Sequence, residues 1–215
     1  MRIDPAGWPF VLGAAAAAVL FWALGFPIPA AALGVAAAFF LFFFRDPNRS
    51  VSARSTDVLS PADGRVVVAG PADEASAPQG GPWLQVSIFL SPMDVHVNRI
   101  PVSGEITRVD YRPGRFLPAY RPDAAADNER TEIWLDHHGQ TVVFRQVVGL
   151  LARRVVCRVQ PGARVEAGAR FGVMKFGSRM DVFLPAGARL CVGVGDRARA
   201  AVTVLATLET EGTGH

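Results

Sequence analysis

No charged residue stands between Trp8 and Phe44, while Arg2 and Asp4 precede this apolar run and Arg45, Asp46 and Arg49 follow it. Pro27 and Pro29 divide the run into Trp8 to Phe26 and Ala30 to Phe44, nineteen and fifteen residues long, where a full membrane crossing takes about 20. The pattern predicts a membrane anchor over residues 1–49, either two short antiparallel helices turning at Phe26-Pro27-Ile28-Pro29 or one kinked span. The hairpin is the preferred reading, because it leaves Arg2 and Arg45 together on one side, as basic flanks on the cytoplasmic face would be. A secretory signal peptide is the competing reading. The apolar stretch is too long for one, and no small-x-small site leads into a polar start.

After Arg45 the rhythm changes to short β-branched and apolar runs, at Arg65 to Ala69, Leu84 to Leu90, Gly104 to Tyr111, Thr131 to Asp136, Thr141 to Gly149 and Val155 to Val159. These predict the strands of an antiparallel or mixed sheet, punctuated at Gly80-Gly81-Pro82, Pro101, Pro161-Gly162 and Pro185-Ala186-Gly187. The expected fold class is mainly β (α+β), with one catalytic domain over residues 50–215 behind the helical hairpin. The segments Val159 to Gly168 and Leu184 to Leu190 are two similar turn-strand units, and resemble the barrel-sandwich hybrids of lipoyl and biotinyl domains. Arg112 to Arg130 breaks the strand rhythm. It reads either as a surface insertion or as a lip that dips the apolar residues Phe116, Leu117 and Tyr120 into the membrane interface.

Composition narrows the chemistry. Among 215 residues there are four histidines, His96, His137, His138 and His215, and two cysteines, Cys157 and Cys191. They form no cluster at metal-ligand spacing, so chemistry without a metal is expected, with both cysteines as buried free thiols. Lys175 is the sole lysine among 22 basic residues, and the net charge is +3. Arginine suits phosphate and carboxylate groups. This charge fits an anionic lipid surface or weak nucleic-acid contact equally well and does not choose between them.

One dipeptide stands out chemically. In Phe176-Gly177-Ser178-Arg179-Met180-Asp181, the Ser178 hydroxyl can attack the carbonyl before it, since Gly177 leaves the approach open and tolerates the backbone conformation that attack needs. Elimination of the resulting ester and hydrolysis would turn residue 178 into a pyruvoyl group, a ketone that serves amine substrates as an electron sink. Such a step needs a base and oxyanion donors. His96, in Asp94-Val95-His96-Val97-Asn98, is the leading base, because alternation places Asp94, His96 and Asn98 on one face of a strand. A β-turn at Gly-Ser and a structural histidine are the plain readings of the same residues.

Four ordered motifs carry a resemblance. They are Ser60-Pro61-Ala62-Asp63-Gly64; Phe89-Leu90-Ser91-Pro92-Met93-Asp94-Val95-His96-Val97-Asn98-Arg99; Pro113 to Tyr120 with Asn128-Glu129-Arg130; and Lys175-Phe176-Gly177-Ser178-Arg179. Together they make the chain, from roughly Leu59 to Leu205, resemble the phosphatidylserine decarboxylases, in particular the short bacterial form. The resemblance implies self-cleavage between Gly177 and Ser178 into fragments 1–177 and 178–215, which stay together as a heterodimer. It implies a covalent pyruvoyl group from Ser178 as the only cofactor, with no metal, to which the amine of phosphatidylserine is joined as a Schiff base before carbon dioxide and phosphatidylethanolamine leave.

By the same resemblance His96 transfers protons, Asp63 orients it, and Arg99, Phe116, Leu117 and Tyr120 contact an anionic phospholipid in the bacterial inner membrane, with the catalytic domain on the cytoplasmic side. No nucleic-acid partner is implied, and a homo-oligomer is left open. One departure matters: longer relatives carry a second histidine where this chain has Arg99. Either His96 serves both self-cleavage and decarboxylation, or another group deprotonates Ser178, and Arg99 is free to bind phosphate or carboxylate. Two other readings stand beside this one. Val173-Met174-Lys175-Phe176 is similar to the attachment hairpin of a biotinyl or lipoyl carrier modified at Lys175, and an ether-linked phosphoserine lipid would suit the same enzyme.

Overall fold

The computed structural model describes residues 2–74, 77–117, 127–149, 155–175 and 178–209. The apolar run forms helices α1 (Trp8–Ala23) and α2 (Pro27–Phe43), which fold back on one another. Their reversal lies at Leu24-Gly25-Phe26, ahead of the expected Phe26 to Pro29 turn. Gly25 takes φ +80°, a left-handed conformation open to glycine. Pro27 opens α2 instead of breaking the chain, since a fixed φ and a missing N–H suit the first helical position. Strand β1 (Arg2–Ile3) pairs antiparallel with β2 (Arg45–Asp46). Both ends of the apolar run therefore meet, and the segment is a hairpin rather than a kinked span.

By length and composition Pro5–Ala23 is apolar enough to cross a membrane, and Pro27–Phe43 is shorter. At about 1.5 Å per residue, the 17 residues of α2 fall a few ångströms short of a hydrocarbon core of roughly 30 Å. Leu12, Val19, Trp22, Ile28 and Val35 are each more than half exposed. So continuous an apolar face marks a surface made to meet lipid or another apolar partner.

The rest of the chain is mainly β. Its strands are β3 (Asp57–Leu59), β4 (Gly64–Pro71), β5 (Trp83–Leu90), β6 (Val97–Arg99), β7 (Gly104–Arg112), β8 (Arg130–His137), β9 (Gln140–Val147), β10 (Val155–Cys157), β11 (Arg164–Val165), β12 (Arg170–Met174), β13 (Ser178–Pro185), β14 (Arg189–Leu190), β15 (Arg197–Ala198) and β16 (Val204–Thr207). Among the described residues the largest sheet runs β11-β7-β8-β9-β13-β5-β4-β15, with smaller sheets β10-β12-β6 and β14-β16-β3. Bulges at Val66/Val68 in β4 and Ile106/Arg108 in β7 bend the large sheet over its core. The two turn-strand units deliver β11 to the edge at β7 and β14 to β16, in different sheets.

Alternation decides what the core holds. Val86, Ile88 and Leu90 of β5, Met180, Val182 and Leu184 of β13, and Phe144 of β9 point into one buried cluster. Each such side chain contributes about 1.5–3 kcal/mol. Phe171 of β12 meets Phe144 edge-on, with centroids 5.0 Å apart, and ties the three-stranded sheet to the large one. Cys157 is half-buried and Cys191 exposed; both are free. The expectation of two buried thiols holds only in part, because Cys191 falls just after the short strand β14, at the rim rather than in the core.

The hairpin is fastened to this body. Phe43 and Phe44 pack with Val95, Val97 and Val173. Arg158 grips Asp4 with two hydrogen bonds of 2.9 and 2.7 Å. Asp46 lies between Arg99, at 2.9 Å, and Arg170. At Gly7 any Cβ would stand 2.4 Å from the Phe44 ring, so glycine is what lets the start of α1 come this close.

Candidate active site

Strand β13 begins at Ser178 and lies between β5 and β9, which makes it the central strand of its neighbourhood. Ser178 pairs with Leu90, on the same face as Met180 and Val182, so its side chain turns into the core. The residue is fully buried, and its Oγ has no hydrogen-bond partner among the described residues. A buried hydroxyl without a partner costs about 1–3 kcal/mol. Gly177 lies outside the described residues.

His96 follows a tight turn after β5, in which the Asp94 carboxylate accepts from the Ser91 amide at 2.9 Å and its hydroxyl at 2.7 Å. The His96 Nδ1 lies 3.0 Å from the Asp94 carbonyl oxygen. A carbonyl only accepts, so Nδ1 carries the hydrogen and Nε2 presents a lone pair. Nε2 is buried and has no partner among the described residues. Phe43, in the last turn of α2, stacks on the imidazole at 4.0 Å. Burial pushes the His96 pKa down to about 4, against the opposing pull of the Asp94 carbonyl and the nearby Asp94 and Asp63 charges. The ring is thus a neutral proton acceptor at physiological pH. The His96 carbonyl in turn accepts from the Met174 amide at 3.2 Å, four residues ahead of Ser178.

Two expected roles are not what the hydrogen bonds show. Asp63 does not hold the imidazole: its carboxylate is taken by Arg49, with two bonds of 2.7 Å, and by the Ala200 amide at 2.8 Å. The backbone carbonyl of Asp94 occupies the Nδ1 position instead, leaving Asp63 to act on His96 only as a charge at a distance. Arg99 does not face a substrate: it is 5% exposed and donates to Asp46, to the Pro47 carbonyl at 2.9 Å and to the Gly168 carbonyl at 3.0 Å. Strand register draws it under the hairpin, where it locks β2 to the catalytic body.

The lip residues divide. Phe116 is exposed and Leu117 half-buried, while Tyr120 lies outside the described residues. Asn128 fixes the start of the segment: it accepts from the Leu117 amide and donates to the Leu117 and Val148 carbonyls, all within 2.9 Å. Lys175 sets its ammonium 5.1 Å from the centre of the Phe10 ring, against the hairpin base and not on an open strand turn. Asn98 and Gln146, both buried, form a bond of 2.8 Å beside these groups. The chain pattern singled out Asn98 only as a face-mate of His96, and Gln146 left no signal beyond a polar residue in an apolar strand. Among the described residues no three His, Cys, Asp or Glu side chains are placed to hold a metal.

Ser178 thus ends the β5–β13 ladder, and His96, buried beneath Phe43 of the hairpin, is joined to β12 through the Met174 amide. The family model described as phosphatidylserine decarboxylase matches residues 36–206. The phosphatidylserine decarboxylase proenzyme of Nitrosomonas europaea is 44% identical over 208 residues, covering 93% of this chain and 92% of the relative. The proenzymes of Chlorobium chlorochromatii and Salinibacter ruber are each 45% identical, over 86% and 83% of this chain and 83% and 79% of theirs. With the family model matched over residues 36–206 and relatives 44–45% identical across 79–92% of their own length, this chain belongs to the phosphatidylserine decarboxylase family.

Proposed function

We propose that this chain is a proenzyme that cuts itself between Gly177 and Ser178, and that the cut protein decarboxylates phosphatidylserine to phosphatidylethanolamine. The observation that carries the reading is the Ser178 Oγ, fully buried and unpartnered among the described residues, where an ordinary core would hold an apolar side chain. In the cut, Ser178 Oγ displaces the nitrogen of its own residue from the preceding carbonyl. Loss of the carboxylate so formed from Cβ, and replacement of nitrogen by water, converts residue 178 to a pyruvoyl group; one water enters overall and one ammonia leaves. The residues fit that group, since its atoms are those of Ser178, which is fully buried and paired with Leu90 of β5, while the next residue, Arg179, is paired with Val147 of β9.

When formed, the pyruvoyl group supplies a ketone that can take up the electron pair left behind as carbon dioxide departs. The chain supplies the rest. His96 Nε2 accepts the Ser178 hydroxyl proton, and afterwards holds a proton within the dry site for return to carbon. Its pKa near 4 means that it carries this proton only transiently. The apolar wall made by Phe43 and Val97 keeps water out, which favours loss of a carboxylate charge. The exposed apolar hairpin lies in the membrane, with Arg2 and Arg45 at the cytoplasmic surface, so that a phosphoserine headgroup reaches His96 from the lipid side. Phe116, Leu117 and Tyr120 form the lip for the lipid chains.

Intact mass under denaturing conditions tests the reading. Wild-type protein is expected as two pieces split after Gly177, the smaller lighter by one ammonia than a serine-started chain, with Ser178→Ala uncut. Folded wild-type protein that stays whole would overturn it.

A further inference from the structure

Asn98 and Gln146 present a polar pair that the core does not need. Gln146 lies on the inner face of β9 opposite Met180, and Asn98 lies on β6 opposite Gly172. Both are fully buried. Gln146 Nε2 donates to Asn98 Oδ1 at 2.8 Å across the gap between the two sheets. That bond leaves Asn98 Nδ2 and Gln146 Oε1 buried and without a partner among the described residues. Gln146 Nε2 also donates to the Val156 carbonyl oxygen at 3.4 Å, which sets the orientation of its carboxamide and leaves Asn98 Nδ2 as the open donor and Gln146 Oε1 as the open acceptor. Each open group costs about 1–3 kcal/mol, which an apolar pair of similar size would avoid.

The fold makes room for the pair. At Gly172 any Cβ would stand 2.7 Å from Gln146 Nε2 and 2.4 Å from the Val156 carbonyl oxygen. Register then fixes what the pair can reach. Gln146 is opposite Met180, and Ser178 is two residues along β13 on the same face. Such diagonal neighbours stand about 7–8 Å apart, within the span of a long side chain.

We infer that Asn98 and Gln146 form the cradle for the negatively charged oxygen that arises when Ser178 cuts the chain. The open carboxamide donor meets that oxygen, and the open acceptor meets the hydrogen on the departing nitrogen. The inference rests on the self-cleavage reading. The Ser178 O–H bond breaks and its proton passes to His96 Nε2; the Oγ–carbon bond forms and the carbonyl electron pair moves onto oxygen. On collapse the carbon–nitrogen bond breaks and nitrogen takes the proton from His96. The charge exists only between these events, so a donor waiting there stabilises the transition state and not the resting chain.

The test is a time course of cleavage by intact mass, with full-length chain made by cell-free synthesis into lipid nanodiscs. Asn98→Leu combined with Gln146→Met replaces the pair by apolar groups of similar size. The expected result is cleavage slowed by about 10²–10³-fold, with the denaturant midpoint of the uncut chain equal to wild type or higher; a structural role would instead lower that midpoint. Asn98→Asp, which keeps shape and removes the donor, is expected to slow cleavage without unfolding the chain, should the double variant fail to fold. Wild-type cleavage rates in folded Asn98→Asp or the double variant would overturn the inference. A folded wild-type chain that never cuts would overturn the self-cleavage reading beneath it.

Discussion

The ring of Phe43 lies on the imidazole of His96, with centroids 4.0 Å apart and planes 29° from parallel. The last turn of an apolar helix therefore covers the His96 ring, and the hairpin packs into the β body as well as presenting an exposed apolar face. Removing that cover would wet the ring. Burial is the largest cause of the low His96 pKa, so Phe43→Ala is expected to raise it towards the usual histidine value, besides costing about 3–5 kcal/mol in packing.

The sign of the pH dependence follows. His96 has a folded pKa of about 4 against 6.5 for a free ring, so between those values the unfolded chain binds the extra proton. Stability is fully present above pH 6.5, falls as the pH drops towards 4, and has lost about 3 kcal/mol from this group by then. Denaturant unfolding across that window should show the slope in wild type and a flatter one in His96→Gln. Equal slopes would assign the acid sensitivity elsewhere.

Asp46 holds Arg99 and Arg170 together under the hairpin. Asp46→Asn is expected to destabilise the fold by about 3–5 kcal/mol, because it leaves buried guanidinium charge without its partner. Arg99→Leu should likewise lower the unfolding midpoint and leave the KM for lipid in the surviving folded enzyme near wild type. A raised KM at unchanged stability would return Arg99 to the substrate.

Asp63 separates orientation from charge. With both oxygens held by Arg49 and the Ala200 amide, Asp63→Asn should cost about 1–3 kcal/mol of stability. Its cleavage rate should stay within tenfold of wild type, whereas His96→Ala should lose at least about 10²-fold. Equal losses in timed cleavage assays would make Asp63 a direct partner of the base.

A cut after Gly177 would leave β13 laddered to β5 from Ser178 to Pro185 and to β9 from Arg179 to Phe183. On the outer face Arg179 also holds Asp181, at 2.6 Å, and Ser87, at 2.9 Å. The two pieces are expected to run as one particle in native mass spectrometry and to separate only in denaturant. Loss of 178–215 from the folded protein on gel filtration would contradict that.

Much of the fold was legible in the order of residue types. Alternation located β4, β5, β7 and β8 to within a residue or two, because inward and outward side chains repeat every second position whatever the partner strand is. It missed β13, whose Ser178, Arg179 and Asp181 are polar, because both faces of that strand are buried and its charges are answered by Ser87 and by each other. The turn of the hairpin was misplaced by reading Pro27 as a breaker, where its ring suits the start of a helix.

The sequence by itself determined the apolar hairpin, the β-rich body and the four motifs that carry the family chemistry, since hydropathy, periodicity and reactive dipeptides are local properties of a chain. Tertiary structure alone decided the partners. Arg99 meets Asp46 across 53 residues, Arg158 meets Asp4 across 154, and Gln146 meets Asn98 across 48. Such pairs depend on strand register and on how the hairpin docks, and no local pattern encodes either. The same holds for Asp63, which the family resemblance assigns to the base and which pairs in space with Arg49, 14 residues away in the chain.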